Sequence, residues 1–123
     1  MSGERAALGA FGERLAAGHL RRAGYEIVAT NVQVRPWGEI DIVARRDGVL
    51  VLVEVRTRRG DRFGGAAWSI TPAKQRRMLR AATVYLGARI DETPAARIDV
   101  VLVHLDARGR LIGIEHIENA VEE

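Results

Sequence analysis

The chain has 123 residues, of which 47% are hydrophobic and 28% charged, with a formal net charge of +3 and no cysteine. These values predict one globular domain, residues 1–123, that is large enough to bury a core. The lack of cysteine excludes disulfides, zinc–thiolate centres and thiol chemistry. The sequence has no signal-type segment and no apolar run long enough to span a bilayer, which favours a cytoplasmic protein with no membrane partner.

Positive charge is concentrated in one segment. Residues 56–80 contain eight basic residues and one acidic residue, Asp61, whereas residues 81–123 are net acidic. A local excess of this kind predicts contact with a polyanion such as nucleic acid. Because almost all of the basic residues are Arg, the cluster carries more information than any single Arg within it.

The first predicted elements are a helix over residues 5–23 and a strand over residues 25–34. The apolar residues of the helix recur at helical spacing: Leu8, Phe11, Leu15 and Leu20. Gly24 is suited to end the helix. Glu13 lies off the apolar stripe, so the pattern alone favours a solvated position for it.

Residues 38–56 form the most informative stretch. β-branched and aliphatic residues dominate its two halves, and Asp47-Gly48 between them is typical of a two-residue hairpin turn. Such a turn places Asp41 directly opposite Glu54 on the neighbouring strand. A three-residue loop would instead place Asp41 opposite Val53 and separate the two carboxylates.

Two facing carboxylates suggest a metal site. At an effective dielectric near 20 their repulsion is roughly 3 kcal/mol, so Asp41 and Glu54 need a proton or a cation between them. Mg²⁺ is typically held by one or two carboxylates together with substrate phosphate. Arg56 lies on the same face as Glu54 and opposite Glu39, where it would meet that phosphate. The pattern therefore predicts metal-dependent phosphodiester chemistry, with Asp41 and Glu54 as metal ligands.

Residues 57–70 are predicted to form a loop rich in Gly and Arg that follows a nucleic-acid backbone. Its aromatic residues, Phe63 and Trp68, would stack on bases, although packing into the core is the commoner fate of such residues. The phosphate contacts are expected from this loop and from the helix after it, and they comprise Arg58, Arg59, Arg62, Lys74, Arg76 and Arg77.

Thr71-Pro72 is suited to begin a second helix, which is predicted to run to about residue 86. Residues 97–104 and 111–117 are predicted as the fourth and fifth strands. A strand–helix–strand connection normally makes the two strands parallel, so the fourth strand should pair with the third. The acidic tail, about residues 118–123, is expected to fray.

The resulting order of elements, α-β-β-β-α-β-β, resembles the restriction-endonuclease-like fold. That resemblance implies an α/β class with a mixed five-stranded sheet flanked by helices. The nuclease motif of the fold is Asp, a spacer, then Asp or Glu, any residue, and Lys. The corresponding residues here are Asp41 and Glu54-Val55-Arg56.

A second resemblance covers roughly residues 9–121. Its segments are Gly12-Glu13, Gly24-Tyr25, Asn31, Gly38 to Ala44, Val53 to Arg56, Arg58, Phe63-Gly64, Lys74, Arg97 to Val101 and Ile117 to Ala120. They resemble the YraN-like bacterial family, which is regarded as related to archaeal Holliday-junction resolvases.

This family resemblance implies an acidic cluster of Glu13, Asp41 and Glu54 with Glu39 adjacent. It also implies Mg²⁺ or Mn²⁺ as the cofactor and DNA as the partner. Glu13 or Glu39 would orient the attacking water or complete the metal coordination. Action on a two-fold junction would call for a homodimer.

Arg56 departs from the nuclease motif, which has Lys at this point. Arg stays protonated and cannot act as a general base, but it can bind a phosphate through two donors. Three hypotheses follow. The first is a metal-dependent deoxyribonuclease that acts on linear or branched DNA, and the second is an inactive nucleic-acid-binding module of the same fold. The third is a structural domain in which Asp41 and Glu54 form salt bridges.

Overall fold

The structure is a computed structural model that describes residues 2–60, 70–88 and 95–121. Its elements in chain order are α1 (Ser2–Arg22), β1 (Glu26–Val34), β2 (Gly38–Arg46), β3 (Val49–Arg59), α2 (Pro72–Gly87), β4 (Ala95–Leu105) and β5 (Leu111–Val121). The strands form one five-stranded sheet in the order β1-β2-β3-β4-β5. The β3–β4 pair is parallel and the other pairs are antiparallel. The predicted α/β class and element order are confirmed.

The β2–β3 hairpin has the predicted two-residue turn. Both turn residues have positive φ, 52° for Asp47 and 77° for Gly48, and Asp-Gly is well suited to that conformation. The register runs from Arg46 opposite Val49 to Ile42 opposite Val53. Asp41 and Glu54 are therefore the next residues along the two strands, at the end of the paired region.

β3 lies at the centre of the sheet and is covered on both faces, as its apolar residues predict. Val51 and Val53 pack in a buried cluster with residues of α1, including Leu20. Leu50 and Leu52 pack in a second cluster with Ala81 and Ala82 of α2. The two helices thus cover opposite faces, and the carboxyl end of β3 emerges between them.

α2 begins where its capping residues predict. Thr71 has an extended backbone conformation and its side-chain oxygen accepts a hydrogen bond from the Lys74 N–H, while Pro72 occupies the first helical position. This cap fixes the first turn of α2, and therefore Lys74, beside the end of β3.

Two predicted boundaries are wrong. Residues 57–59, predicted as loop, continue β3 because they pair with Val103 to Leu105 of the apolar strand β4. Residues 118–121, predicted to fray, belong to β5, where Val121 is 3% exposed and packs in the cluster beneath α2. Arg62, Phe63 and Trp68 lie outside the described residues, as do residues 122–123.

Candidate metal centre

Three carboxylates converge where α1 approaches β2. One oxygen from each of Glu13, Glu39 and Asp41 lies within 4.8 Å of the other two. Two ligands on opposite sides of a Mg²⁺ ion are roughly 4.2 Å apart, since each lies about 2.1 Å from the metal. A small side-chain shift would therefore bring these oxygens onto one ion, and a set of carboxylate oxygens suits Mg²⁺ or Mn²⁺.

Asp41 is the most perturbed member of this cluster. Burial and the negative charges of the neighbouring Glu54, Glu13 and Glu39 together raise its pKa from 3.8 to about 8. A hydrogen bond from the Val55 N–H to Oδ2, 2.8 Å long, acts in the opposite direction. Asp41 therefore lies in a position where its negative charge is poorly compensated by the protein.

Amide side chains of β1 orient the cluster. Asn31 Nδ2 donates to Glu13 Oε1 at 2.7 Å and to Glu39 Oε1 at 2.9 Å. Gln33 Nε2 donates to Glu39 Oε2 at 2.6 Å. Sequence reasoning gave these two residues no role. The available signal was their position, because polar residues at i and i+2 of a strand share one face, and Gln33 pairs with Glu39 in the register.

Glu54 faces a different partner. Its Oε2 lies 3.1 Å from Lys74 Nζ on α2, and its side chain is 16% exposed. Glu13 approaches from the other side, since it belongs to α1. The pKa of Asp41 is raised by the charges of both glutamates, so Asp41 is electrostatically linked to both parts of the acidic site.

A glycine allows α1 to bring Glu13 to the sheet. Gly12 is buried against Thr57 of β3, and a Cβ at this position would overlap the Thr57 hydroxyl. Gly9, three residues earlier on the same helix, has open space at the corresponding point. The close approach is therefore local to the turn of α1 that carries Glu13.

The predicted phosphate-binding residues occupy different surroundings. Arg56 is half-buried, two residues beyond Glu54 on β3, and Arg58 is exposed on the same strand. Arg59 donates two hydrogen bonds to the Ala107 carbonyl, at 3.0 and 2.8 Å. Arg76 and Arg77 are exposed on α2. Apart from Arg62, whose position is not described, the predicted cations lie on β3 or on the first two turns of α2.

A second buried carboxylate, Asp99 of β4, contrasts with Asp41. Its oxygens accept from Arg97 Nε at 2.9 Å and from the Asn119 N–H at 2.9 Å, and His116 Nε2 lies at 2.6 Å. Burial alone would raise the pKa of Asp99, but these hydrogen bonds outweigh it and lower the pKa. Asp99 is therefore an ionised and fully partnered group that joins β4 to β5.

The fold and the site define an α/β protein with a carboxylate cluster at one end of its central strands. Neither of its described helices is long and apolar enough to cross a membrane. The model of an uncharacterised protein family, UPF0102, matches residues 12–103. The chain belongs to this family, which is the YraN-like family that its sequence resembles.

Several relatives are similar over most of their length. The chain is 49% identical over 128 residues to a UPF0102 protein of Roseiflexus castenholzii, with 100% of this chain and 99% of the relative covered. It is 49% identical over 104 residues to one from Symbiobacterium thermophilum, with 85% and 87% covered. It is 51% identical over 109 residues to one from Cupriavidus necator, with 88% and 79% covered. The names of these relatives state no activity.

Proposed function

We propose that this protein is a Mg²⁺- or Mn²⁺-dependent endonuclease that hydrolyses DNA phosphodiester bonds, with branched DNA among its substrates. The observation that carries the proposal is the acidic cluster around Asp41. In the described part of the chain, no Lys or Arg lies within ion-pair distance of Glu13, Glu39 or Asp41. A divalent cation would supply the missing positive charge.

Asp41 is proposed as the central metal ligand because the negative charges of Glu13, Glu39 and Glu54 all raise its pKa. Glu54 on β3 is the second ligand expected from the motif, and Glu13 and Glu39 complete the coordination or orient the attacking water. When bound, a divalent ion supplies Lewis-acid polarisation of the phosphoryl group and activation of water. Asn31 keeps the two outer carboxylates in place through its paired hydrogen bonds.

The basic residues near the cluster are proposed to bind phosphate groups of the DNA backbone. Arg56 would bind a phosphoryl oxygen through two N–H donors and stabilise the charge that develops in the transition state. Lys74 holds Glu54 in the structure and lies where it can also contact the backbone. Arg58, Arg59, Arg62, Arg76 and Arg77 are proposed to bind neighbouring phosphates, with a salt-sensitive affinity. A cytoplasmic location and a homodimer remain predictions.

The second candidate is a nucleic-acid-binding module without catalysis. Arg56 favours it, because Arg replaces the Lys of the nuclease motif and cannot accept a proton. This candidate predicts binding that falls with salt and persists in EDTA. It also predicts that Arg56→Lys would create or increase cleavage.

A cleavage assay tests the proposal. Linear duplex, single-stranded and four-way-junction DNA are incubated with the protein in Mg²⁺, Mn²⁺ or EDTA, beside Asp41→Asn. Asp47→Asn is the matched control, since it removes the same charge from the exposed hairpin turn. We expect metal-dependent cuts that Asp41→Asn lowers by roughly 10³-fold and that Asp47→Asn leaves unchanged. Wild-type cleavage by a pure, folded Asp41→Asn protein would contradict the assignment.

A further inference from the structure

An open groove runs between the β1–β2 turn and the outer face of α2. Its volume is about 1000 Å³, and its lining includes Pro36, Trp37, Arg76, Arg77, Arg80 and Val84. Three of these residues carry guanidinium groups, and no Asp or Glu is among the described residues that line the groove. Its charge is therefore complementary to a polyanion.

Trp37 and Arg80 stack on each other and together form one surface of this groove. The guanidinium carbon of Arg80 lies 5.1 Å from the centre of the Trp37 ring, in a cation–π contact. Trp37 is half-buried and packs against the cluster beneath α2. Packing on both the core and Arg80 holds the indole in a fixed orientation. A rigid aromatic ring beside cations is the arrangement on which unpaired bases stack.

One wall of the groove, the β1–β2 turn, is close in sequence to the acidic cluster. Trp37 is followed by Gly38 and Glu39, so the indole is attached two residues from a carboxylate of the site, a distance of roughly 7 Å along a strand. Arg77 extends across this link, since its Nε lies 3.9 Å from the point where a Gly38 Cβ would stand. The β1–β2 turn and Arg77 thus connect the groove with the strand that carries Glu39 and Asp41.

We propose that this groove binds an unpaired nucleic-acid strand next to the phosphate to be cut. Arg76 and Arg77 contact its phosphates, and a base stacks on the surface formed by Trp37 and Arg80. Only a base that has left the duplex stack offers its π-face to such a ring. The inference rests on the proposed nuclease function and makes its substrate more specific: a duplex with an adjoining single strand, as at a branch or an overhang.

Tryptophan fluorescence tests the groove without catalysis. The chain has two Trp residues, so Trp68→Phe leaves Trp37 as the one reporter. In EDTA at low salt, we expect a single-stranded oligonucleotide to quench this fluorescence, with blunt duplex of equal length having little effect. Trp37→Phe, which leaves Trp68 as the reporter, is the reciprocal variant. Binding detected by anisotropy without quenching of Trp37 would overturn the proposal.

Cleavage then tests the substrate. We expect Trp37→Ala to slow cutting of a duplex with a single-stranded overhang by about tenfold and to leave a blunt duplex unaffected, with Trp37→Phe restoring much of the rate. Arg76→Ala/Arg77→Ala should weaken oligonucleotide binding. Arg21→Ala/Arg22→Ala, which removes the same charge at the opposite end of the sheet, should not.

The two claims fail separately. Equal effects of Trp37→Ala on overhang and blunt substrates, or none on either, would overturn the groove while metal-dependent cleavage still stands. If the wild type cuts no substrate, the nuclease proposal fails, and quenching in EDTA still decides whether the groove binds an unpaired strand. Should Trp37→Ala not fold, Arg80→Gln tests the same surface from α2.

Discussion

Asp41, which is half-buried, and Asp99, which is fully buried, both lie on strands of one sheet, yet their surroundings are opposite. Asp99 has no solvent-exposed surface and is bonded to Arg97, His116 and the Asn119 N–H. Asp41 has one described hydrogen bond, from the Val55 N–H, and three carboxylates nearby. Accordingly, the pKa of Asp99 is lowered, whereas that of Asp41 is raised to about 8.

The comparison contrasts a carboxylate whose charge the protein compensates with one whose charge it compensates little. The described hydrogen bonds to Asp99 come from residues of β4 and β5. They compensate the charge of Asp99 and link the two strands. The acidic site instead collects Glu13, Glu39 and Asp41 from two separate elements without a compensating cation among the described residues. Groups with strongly perturbed pKa values are often found at functional sites.

The largest stability effect should come from Asp99. Asp99→Asn removes the charge that Arg97 and His116 face, and breaking a buried ion pair on one side costs about 3–5 kcal/mol. Urea denaturation at pH 7 measures the free energy of unfolding. Asp47→Asn, in the exposed turn, serves as the control and should be nearly neutral. A loss below about 1 kcal/mol for Asp99→Asn would remove the contrast between the two aspartates.

Asp41→Asn, unlike Asp99→Asn, should stabilise the protein, and the size of this effect should depend on pH. Between its ordinary pKa of 3.8 and its folded pKa of about 8, the folded protein keeps a proton that the unfolded chain releases. Raising the pH through this window therefore lowers the free energy of unfolding of the wild type. Asp41→Asn has no such proton, so in EDTA its stability relative to wild type should increase by roughly 2–4 kcal/mol from pH 5 to pH 8. If the free energies of unfolding of wild type and Asp41→Asn changed in parallel with pH, the pKa of Asp41 would not be raised in the folded protein.

Gly12 tests how α1 brings Glu13 to the site. Gly12→Ala forces a methyl group towards Thr57, so we expect a loss of about 1–3 kcal/mol from overpacking and lower cleavage activity. Gly9→Ala is the matched control on the same helix. It meets no atom within 4 Å and should stabilise the helix by about 0.5–1 kcal/mol. Equal effects of the two substitutions would mean that stability and cleavage do not depend on the close contact between Gly12 and Thr57.

The smallest stability effect is expected at Lys74. Its ion pair with Glu54 is partly exposed, and pairs of this kind contribute about 0–1 kcal/mol. Lys74→Gln should therefore change stability little, while cleavage and DNA binding at low salt decrease. Lys74→Arg keeps the charge and should retain binding. If Lys74→Gln lost stability but kept DNA binding, Lys74 would have a structural role and would not bind DNA.

The sequence predicts most of the fold because the relevant signals are local. β-branched and aliphatic residues dominate β2 and β3, Asp47-Gly48 sets their register, and Thr71-Pro72 begins α2. The sequence does not predict the end of β5, because residues 118–121 are mostly polar. In the structure Val121 packs in the buried cluster beneath α2. Such a contact depends on how the helix crosses the sheet, which no local pattern contains.

The site was predictable only in part for the same reason. The hairpin turn predicted that Asp41 faces Glu54, but the described pairing ends at Ile42 and Val53, and Glu54 lies outside the cluster of Glu13, Glu39 and Asp41. Glu13 lies off the apolar stripe of α1, and only the family resemblance singled it out. The hydrogen bonds of Asn31, the close approach of Gly12 and the contact of Trp37 with Arg80 join elements that are distant in sequence. They follow from the packing of α1 and α2 on the sheet.

The most direct test of the account is calorimetric titration of Mn²⁺ into the protein at pH 8, where Asp41 can ionise. We predict one saturable site in the wild type and in Asp47→Asn, and at least about tenfold weaker binding in a folded Asp41→Asn protein. Equal Mn²⁺ affinity in Asp41→Asn and wild type, or no binding by either, would contradict the claim that the Asp41 cluster is a metal centre.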